Sequence, residues 1–378
     1  MDDQYRSTLI NYVTKIHFGY GAVDQLRDEL RSLSVRRPLV VTDEGVVSAG
    51  LVERAMDRIS PYELFAQTPS NPTEVAARRA AEQFRESACD GIVAIGGGSP
   101  LDMAKVVALM HCHFGPLADY ALIRGGLPRI TDALPPVIAI PTTSGTGSEV
   151  ARAAVIIMSD ARKLVVASPH LVPRVALCDP GLTLKLPERL TAATGFDAIA
   201  HCVETYCSPV INPPAAGVAL DGLARLAANI ERAVQQPSDR AARWEVMMGS
   251  LQGGLAFQKG LGAVHALSHP LGEFGLHHGT LNAILLPHVL EYNRPVLGPK
   301  LEALTAATRN LGIGVPPEVS FRRLLRRLSL PGNLAALGFD ASKINEVALK
   351  AVTDSCNVTN PRPATAADYE SVLEAAFG

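Results

Sequence analysis

Strand signals stop near Asp179. Before it, short apolar runs alternate with helical patterns, and from Leu186 onward the apolar spacing is helical only. This break constrains the fold most. Alternating strands and helices bury a parallel sheet between helical layers, whereas an all-helical segment must pack helix on helix. Residues 38–42 (PLVVT), 62–65, 91–95, 136–140 and 175–179 read as strands, with helices over 73–88 and 100–113. Residues 155–158 and 163–166 flank SDAR and read as a hairpin. In the second half, helices are expected over 187–207, 214–234, 239–257, 262–272, 280–292, 298–311, 318–328, 341–354 and 366–376. Pro209, Pro213 and Pro214 break the first pair, and Pro316, Pro317 and Pro331 punctuate the later ones. A chain of 378 residues is long for one core. The expected organisation is an α/β N-terminal nucleotide-binding domain over 1–182 and an all-α C-terminal metal-binding domain over 183–378.

Ligands of parallel sheets bind at the carboxyl ends of strands. Two such ends carry suitable chemistry. After the strand ending at Ile95, Gly96, Gly97 and Gly98 let the backbone approach a pyrophosphate, and Ser99 adds a hydroxyl at a helix N-terminus. After the strand ending at Ile140, Thr142, Thr143, Ser144 and Thr146 offer hydroxyls, and Gly145 and Gly147 again allow close approach. One glycine run can be a mere turn; two such loops in one sheet favour a dinucleotide. Neither is the GxGxxG fingerprint. Asp43 closes the first strand in VVTDEG, where a carboxylate accepts from ribose hydroxyls and repels a 2′-phosphate, or else caps a helix.

Five of the ten histidines fall between Gly253 and Asn293: His265, His269, His277, His278 and His288. His265 and His269 are four apart and share a helix face. Upstream, Asp197 and His201 repeat that spacing. Any one of these histidines could be a hydrogen-bonded core residue. As a cluster in apolar surroundings they point to a divalent metal. One carboxylate with three neutral imidazoles suits Fe(II), Zn(II) or Mn(II), with room for a substrate oxygen. Cys112 lies between His111 and His113, but neighbours in that pattern rarely face one centre on a helix.

These motifs together resemble the iron-containing (metal-dependent, type III) alcohol dehydrogenases. The resemblance rests on GGGSPLDMAK (96–105), PTTSGTGSEV (141–150), GFDAIAHCVETY (195–206), HALSHPLG (265–272), HHGTLNAILLPH (277–288) and TNPRPATAADYE near the C-terminus. It implies a dehydroquinate synthase-like fold and reversible oxidation of a small alcohol, diol or hydroxy acid. NAD is the implied cofactor, favoured over NADP by Asp43. Carried over residue by residue, the metal ligands are Asp197, His201, His265 and His278, with Fe(II) the family expectation. His269 matches a histidine that lies near metal and nicotinamide without being a regular ligand, and it or a ribose hydroxyl with water is the expected proton relay. Gly97, Gly98, Ser99, Thr142, Thr143 and Thr146 bind the cofactor, as do Asn71, Lys163 and Leu182. The chain departs from the family pattern around 256–262 and between His269 and His278, which weakens analogy for the substrate pocket. Phe257, Ala153 and His277 are its expected lining. A homodimer or larger homo-oligomer is also implied.

Composition excludes other classes. The formal charge is −2, which gives no reason to expect nucleic acid or an anionic membrane. No apolar run reaches the length of a membrane span. The opening MDDQYRSTLINYV lacks a basic region followed by an apolar stretch, so no secretory signal is expected. Six cysteines without a CxxC pair point to a reducing cytoplasm. Three rivals share part of this chemistry: a maleylacetate-reductase-like enzyme, a dehydroquinate-synthase-like lyase and a non-catalytic metal-binding protein.

Overall fold

The computed structural model describes residues 14–378. The opening MDDQYRSTLINYV, with its expected lack of a secretory signal, lies outside the described residues. The chain divides into two compact units, one ending at Leu186 and one spanning Pro187–Gly378.

The first unit contains β1 (Lys15–Phe18), β2 (Pro38–Val41), β3 (Glu63–Phe65), β4 (Gly91–Gly96), β5 (Val137–Pro141), β6 (Ala153–Ile157), β7 (Lys163–Ala167) and β8 (Val175–Cys178). Six of them form one parallel sheet in the order β1-β8-β5-β4-β2-β3. β6 and β7 form the expected antiparallel hairpin. The helices are α1 (Leu26–Ser32), α2 (Glu44–Ser48), α3 (Leu51–Ala55), α4 (Glu74–Glu86) and α5 (Gly98–Cys112).

β2, β4 and β5 are buried along their whole length, which is why they read as unbroken apolar runs. Alternate residues serve different layers. Leu39, Val41, Ile92 and Ala94 pack with residues of α4 and α5, while Val40, Val93 and Ile95 pack with Leu26, Leu30 and Val52. Because β2, β4 and β5 are neighbours, their carboxyl ends bring together Asp43, the GGGS turn and the threonine-rich loop.

The second unit is helical throughout: α6 (Glu188–Cys207), α7 (Pro213–Gln235), α8 (Arg240–Leu255), α9 (Ala263–Gly272), α10 (His278–Leu297), α11 (Pro299–Ala307), α12 (Pro317–Arg327), α13 (Ile344–Val352) and α14 (Ala366–Phe377). Among the described residues no strand follows Cys178. Pro213 and Pro214 begin α7 after the Asn212 cap, a position where the missing N–H costs nothing. α6 packs against α7, α8 and α10 and is buried on nearly every side. Phe196 meets Phe321 edge to face at 6.4 Å within this core. Polar residues on such a helix are surrounded by apolar ones, and this gives Asp197 and His201 their setting. No helix among the described residues is long and apolar enough to cross a membrane.

Candidate active site

The two glycine-bearing loops meet. A Cβ on Gly98 would stand 2.7 Å from the Thr146 methyl carbon, so only glycine allows this approach. Gly97 faces Thr143, and the Thr142 amide donates to the Gly96 carbonyl at 2.9 Å. α5 begins at Gly98 without a side-chain cap, leaving first-turn amides for an anion. The Ser99 hydroxyl donates to the Ser70 carbonyl at 2.6 Å. Nearby, Lys163 donates to Asn71 at 3.1 Å. Leu182 is buried in the layer beneath the sheet. Asp43 is the N-cap of α2: its Oδ1 accepts from the Val46 amide at 2.9 Å, and Oδ2 takes no hydrogen bond within the described residues.

The rest of both motifs clamps these loops together. The Ser148 hydroxyl donates to Asp102 Oδ1 at 2.6 Å, and the buried Lys105 donates to Ser148 Oγ at 2.7 Å and to the Ala153 carbonyl at 2.8 Å. Asp102 Oδ2 accepts from the Val155 amide at 2.9 Å. Burial lowers the Lys105 pKa and pushes the neighbouring Glu149 carboxyl up to about 7.

In the helical unit, Asp197, His201, His265 and His278 converge. His201 Nε2 lies 3.4 Å from Asp197 Oδ1, and His265 Nε2 and His278 Nε2 each lie 3.6 Å from it. The His201 and His265 Nε2 atoms are 3.0 Å apart. Ligands of a tetrahedral ion at Zn–N and Zn–O distances stand about 3.4 Å from one another. Asp197, His201 and His265 offer ligand atoms that all lie within 4.8 Å of one another and so suit one divalent ion, and His278 approaches that group at Asp197 Oδ1. Asp197, His201 and His265 are buried, and His278 is partly exposed. Burial acts to raise the Asp197 pKa, but His201, His278 and His265 outweigh it and hold the carboxyl below its usual range. Against burial, Glu204 and Asp197 push His265 up to about 9.

His269 stacks on His278 with ring centroids 5.9 Å apart, but its Nδ1 is engaged by Asp354 Oδ2 at 2.9 Å. His277 is exposed and caps α10, its side chain accepting from the Thr280 amide. His288 lies against Arg322. His111 packs edge to face on Phe84, and His113 accepts from the Thr131 amide at 3.0 Å; among the described residues neither belongs to a group that could hold a metal. Phe257 meets the His201 ring edge to face at 4.7 Å, whereas the Ala153 carbonyl is taken by Lys105.

Three residues around this set escape a reading by motif. Glu204 engages His265 Nδ1, and Asn282 donates to Asp197 Oδ1 at 2.7 Å. Asp354 lies far along the chain, and its other oxygen accepts from the Cys356 amide at 2.7 Å. Burial acts to raise the Asp354 pKa, yet His269 and the Cys356 amide leave it lowered. Glu204 is three residues after His201 and Asn282 four after His278, so helical spacing carries a signal for both. Asp354 has none. The TNPRP segment braces the helices around the site. Asn360 Oδ1 accepts from the Ala263 amide at 3.1 Å, and Arg362 lies 4.1 Å over the Tyr292 ring.

The chain is similar to known proteins along nearly its whole length. The model of the family "Iron-containing alcohol dehydrogenase" matches residues 13–180, and that of "Fe-containing alcohol dehydrogenase family, C-terminal" matches 191–377. The chain is 50% identical over 376 residues to a 4-hydroxybutyrate dehydrogenase of Cupriavidus necator, covering 97% of this chain and 98% of that one. It is 35% identical over 376 residues to a long-chain-alcohol dehydrogenase of Geobacillus thermodenitrificans, covering 96% and 94%. Among solved structures, a 1,3-propanediol oxidoreductase superposes with a TM-score of 0.92 at 31% identity, covering 98% of this chain and all of that one.

Proposed function

This chain belongs to the iron-containing alcohol dehydrogenase family, and on that premise we propose that it interconverts a short ω-hydroxy carboxylate, 4-hydroxybutyrate first, and its aldehyde with NAD(H) and Fe(II). The reaction class is oxidation of a CH–OH group by a nicotinamide cofactor. The observation that carries it is the convergence of Asp197 Oδ1 with the Nε2 atoms of His201, His265 and His278. The substrate reading rests on 50% identity to the 4-hydroxybutyrate dehydrogenase. Zn(II) and Mn(II) suit the same donors.

When bound, the ion supplies Lewis acidity at the substrate oxygen, and the nicotinamide supplies the hydride acceptor. The residues of the chain do the rest. Asp197, His201, His265 and His278 hold the ion. Gly97, Gly98, Ser99, Thr142, Thr143 and Thr146 cradle the cofactor, with Asn71, Lys163 and Leu182 beside them. Asp43 presents Oδ2 to ribose hydroxyls and disfavours a 2′-phosphate. His269, its Nδ1 tied to Asp354, takes the proton that leaves the alcohol. The one-carboxylate, three-imidazole set favours this reading over a maleylacetate-reductase-like one. Six unpaired cysteines support a cytoplasmic setting. A homo-oligomer is expected, to be read by light scattering.

The test is an activity panel in both directions, followed by NADH absorbance. The stripped protein is reconstituted in turn with Fe(II), Zn(II) and Mn(II) and offered 4-hydroxybutyrate, 1,3-propanediol and long-chain alcohols. A kcat/KM for 4-hydroxybutyrate at or below that for the uncharged alcohols would remove the substrate assignment. No NAD reduction with any metal and any alcohol would remove the enzymatic one.

A further inference from the structure

We propose that Glu204 is the positioning residue of the metal-ligand set: one carboxylate fixes both the backbone and the ring tautomer of His265, and so sets the affinity of the site. The inference rests on the metal reading above and adds a residue to it.

Glu204 is buried, one turn beyond His201 on α6. A buried carboxylate is costly unless donors surround it. Here three do. Oε1 accepts from the Val264 amide at 2.7 Å and the His265 amide at 3.4 Å, and Oε2 meets His265 Nδ1. Both amides belong to the first turn of α9, which has no intrahelical partner for them. The sequence cannot cap this helix locally, because its N-cap is Gly262. A side chain there would crowd the carboxylate: a Cβ would stand 3.0 Å from both Glu204 Oε1 and Asn360 Oδ1. Glu204 therefore caps α9 from another helix, at the end where the helix dipole favours negative charge.

The same carboxylate decides what His265 offers to the ion. A neutral imidazole carries one N–H. With that proton held on Nδ1 toward Glu204, Nε2 presents a lone pair. It faces His201 Nε2 at 3.0 Å and Asp197 Oδ1 at 3.6 Å. Electron pairs this close repel one another unless a proton or cation lies between them. An anionic partner behind the ring also raises its strength as a donor. Asp197 and Glu204 together carry the two negative charges that balance a divalent ion.

The test uses the full-length protein stripped of metal, with Zn(II) as probe and a chromophoric chelator as competitor. Glu204→Gln keeps an oxygen for the two amides but loses the charge. Its Zn(II) Kd should rise about ten- to a hundredfold, the usual effect of removing such a partner, while NAD binding stays unchanged. Glu204→Ala should lose the helix cap as well and melt at a lower temperature. Equal Kd values for wild type and Glu204→Gln would overturn the proposal. Wild-type protein that binds Zn(II) no better than His265→Ala would instead overturn the metal reading beneath it. If both Glu204 variants fail to fold, the zinc-loaded wild type decides, with its histidine rings labelled with nitrogen-15. His265 should show a solvent-protected proton on Nδ1, and a ring with no proton there refutes the assignment.

Discussion

His265→Ala and His277→Ala should have opposite effects, although the two residues belong to one histidine-rich stretch. His265 is buried, with Nε2 3.6 Å from Asp197 Oδ1 and 3.0 Å from His201 Nε2. Four-ligand structural zinc sites bind with about 10–16 kcal/mol. One ligand in four is then worth about 3 kcal/mol, or roughly two decades in Kd. His265→Ala also leaves Glu204 Oε2 without its ring partner, while Oε1 keeps the amides of Val264 and residue 265. The variant should fold, lose its metal on dialysis against a weak chelator, and turn over at background rate. NAD should still bind, because its loops lie before Leu186. His277 is exposed, and its side chain caps α10. His277→Ala should keep its metal and lose only about 0.5–2 kcal/mol of stability with the cap. Elemental analysis of both dialysed variants, beside NAD titration and thermal melts, reads all of these quantities. A His277→Ala protein that loses metal while His265→Ala retains it would refute the reasoning.

Other expectations use the remaining site residues. Asp43→Gly should relax the preference for NAD over NADP, and glycine at this cap costs only a few tenths of a kcal/mol, so unfolding will not mask the change; an unaltered ratio of kcat/KM values would count against the ribose role. Glu149 is buried, with its carboxyl raised from 4.5 to about 7, so it takes up a proton on folding between those values. The stability it contributes is present below pH 4.5 and lost as pH rises through 7, at most about 3 kcal/mol. Glu149→Gln, neutral throughout, should therefore melt higher than wild type at pH 8 with little difference near pH 4.5; equal gains at both would contradict the linkage. Asp354→Asn should leave metal content intact and lower kcat by about ten- to a hundredfold, less than loss of a direct acid–base group, with little change in KM. Unchanged kcat would remove Asp354 from any role through His269.

Much of this architecture was legible from local pattern. β2, β4 and β5 are buried on both faces, so they show as apolar runs, and the helices of the second unit carry 3.6-residue spacing bounded by proline. The i, i+4 spacing of Asp197 with His201 follows from helix geometry alone. β1 escaped because Lys15–Phe18 is four residues long and only partly buried; its parallel pairing with Val175–Cys178 makes it a strand. Three short helices, α1, α2 and α3, escaped as well, being too brief to show a period. Periodicity likewise put His265 and His269 on one face, and only the tertiary structure separates them. His265 turns Nε2 to Asp197 because Glu204, 61 residues earlier, holds its other nitrogen, while Asp354, 85 residues later, engages His269. Spacing fixes which side of a helix a ring leaves from. The direction of its lone pair depends on partners that only the folded chain brings within hydrogen-bonding distance.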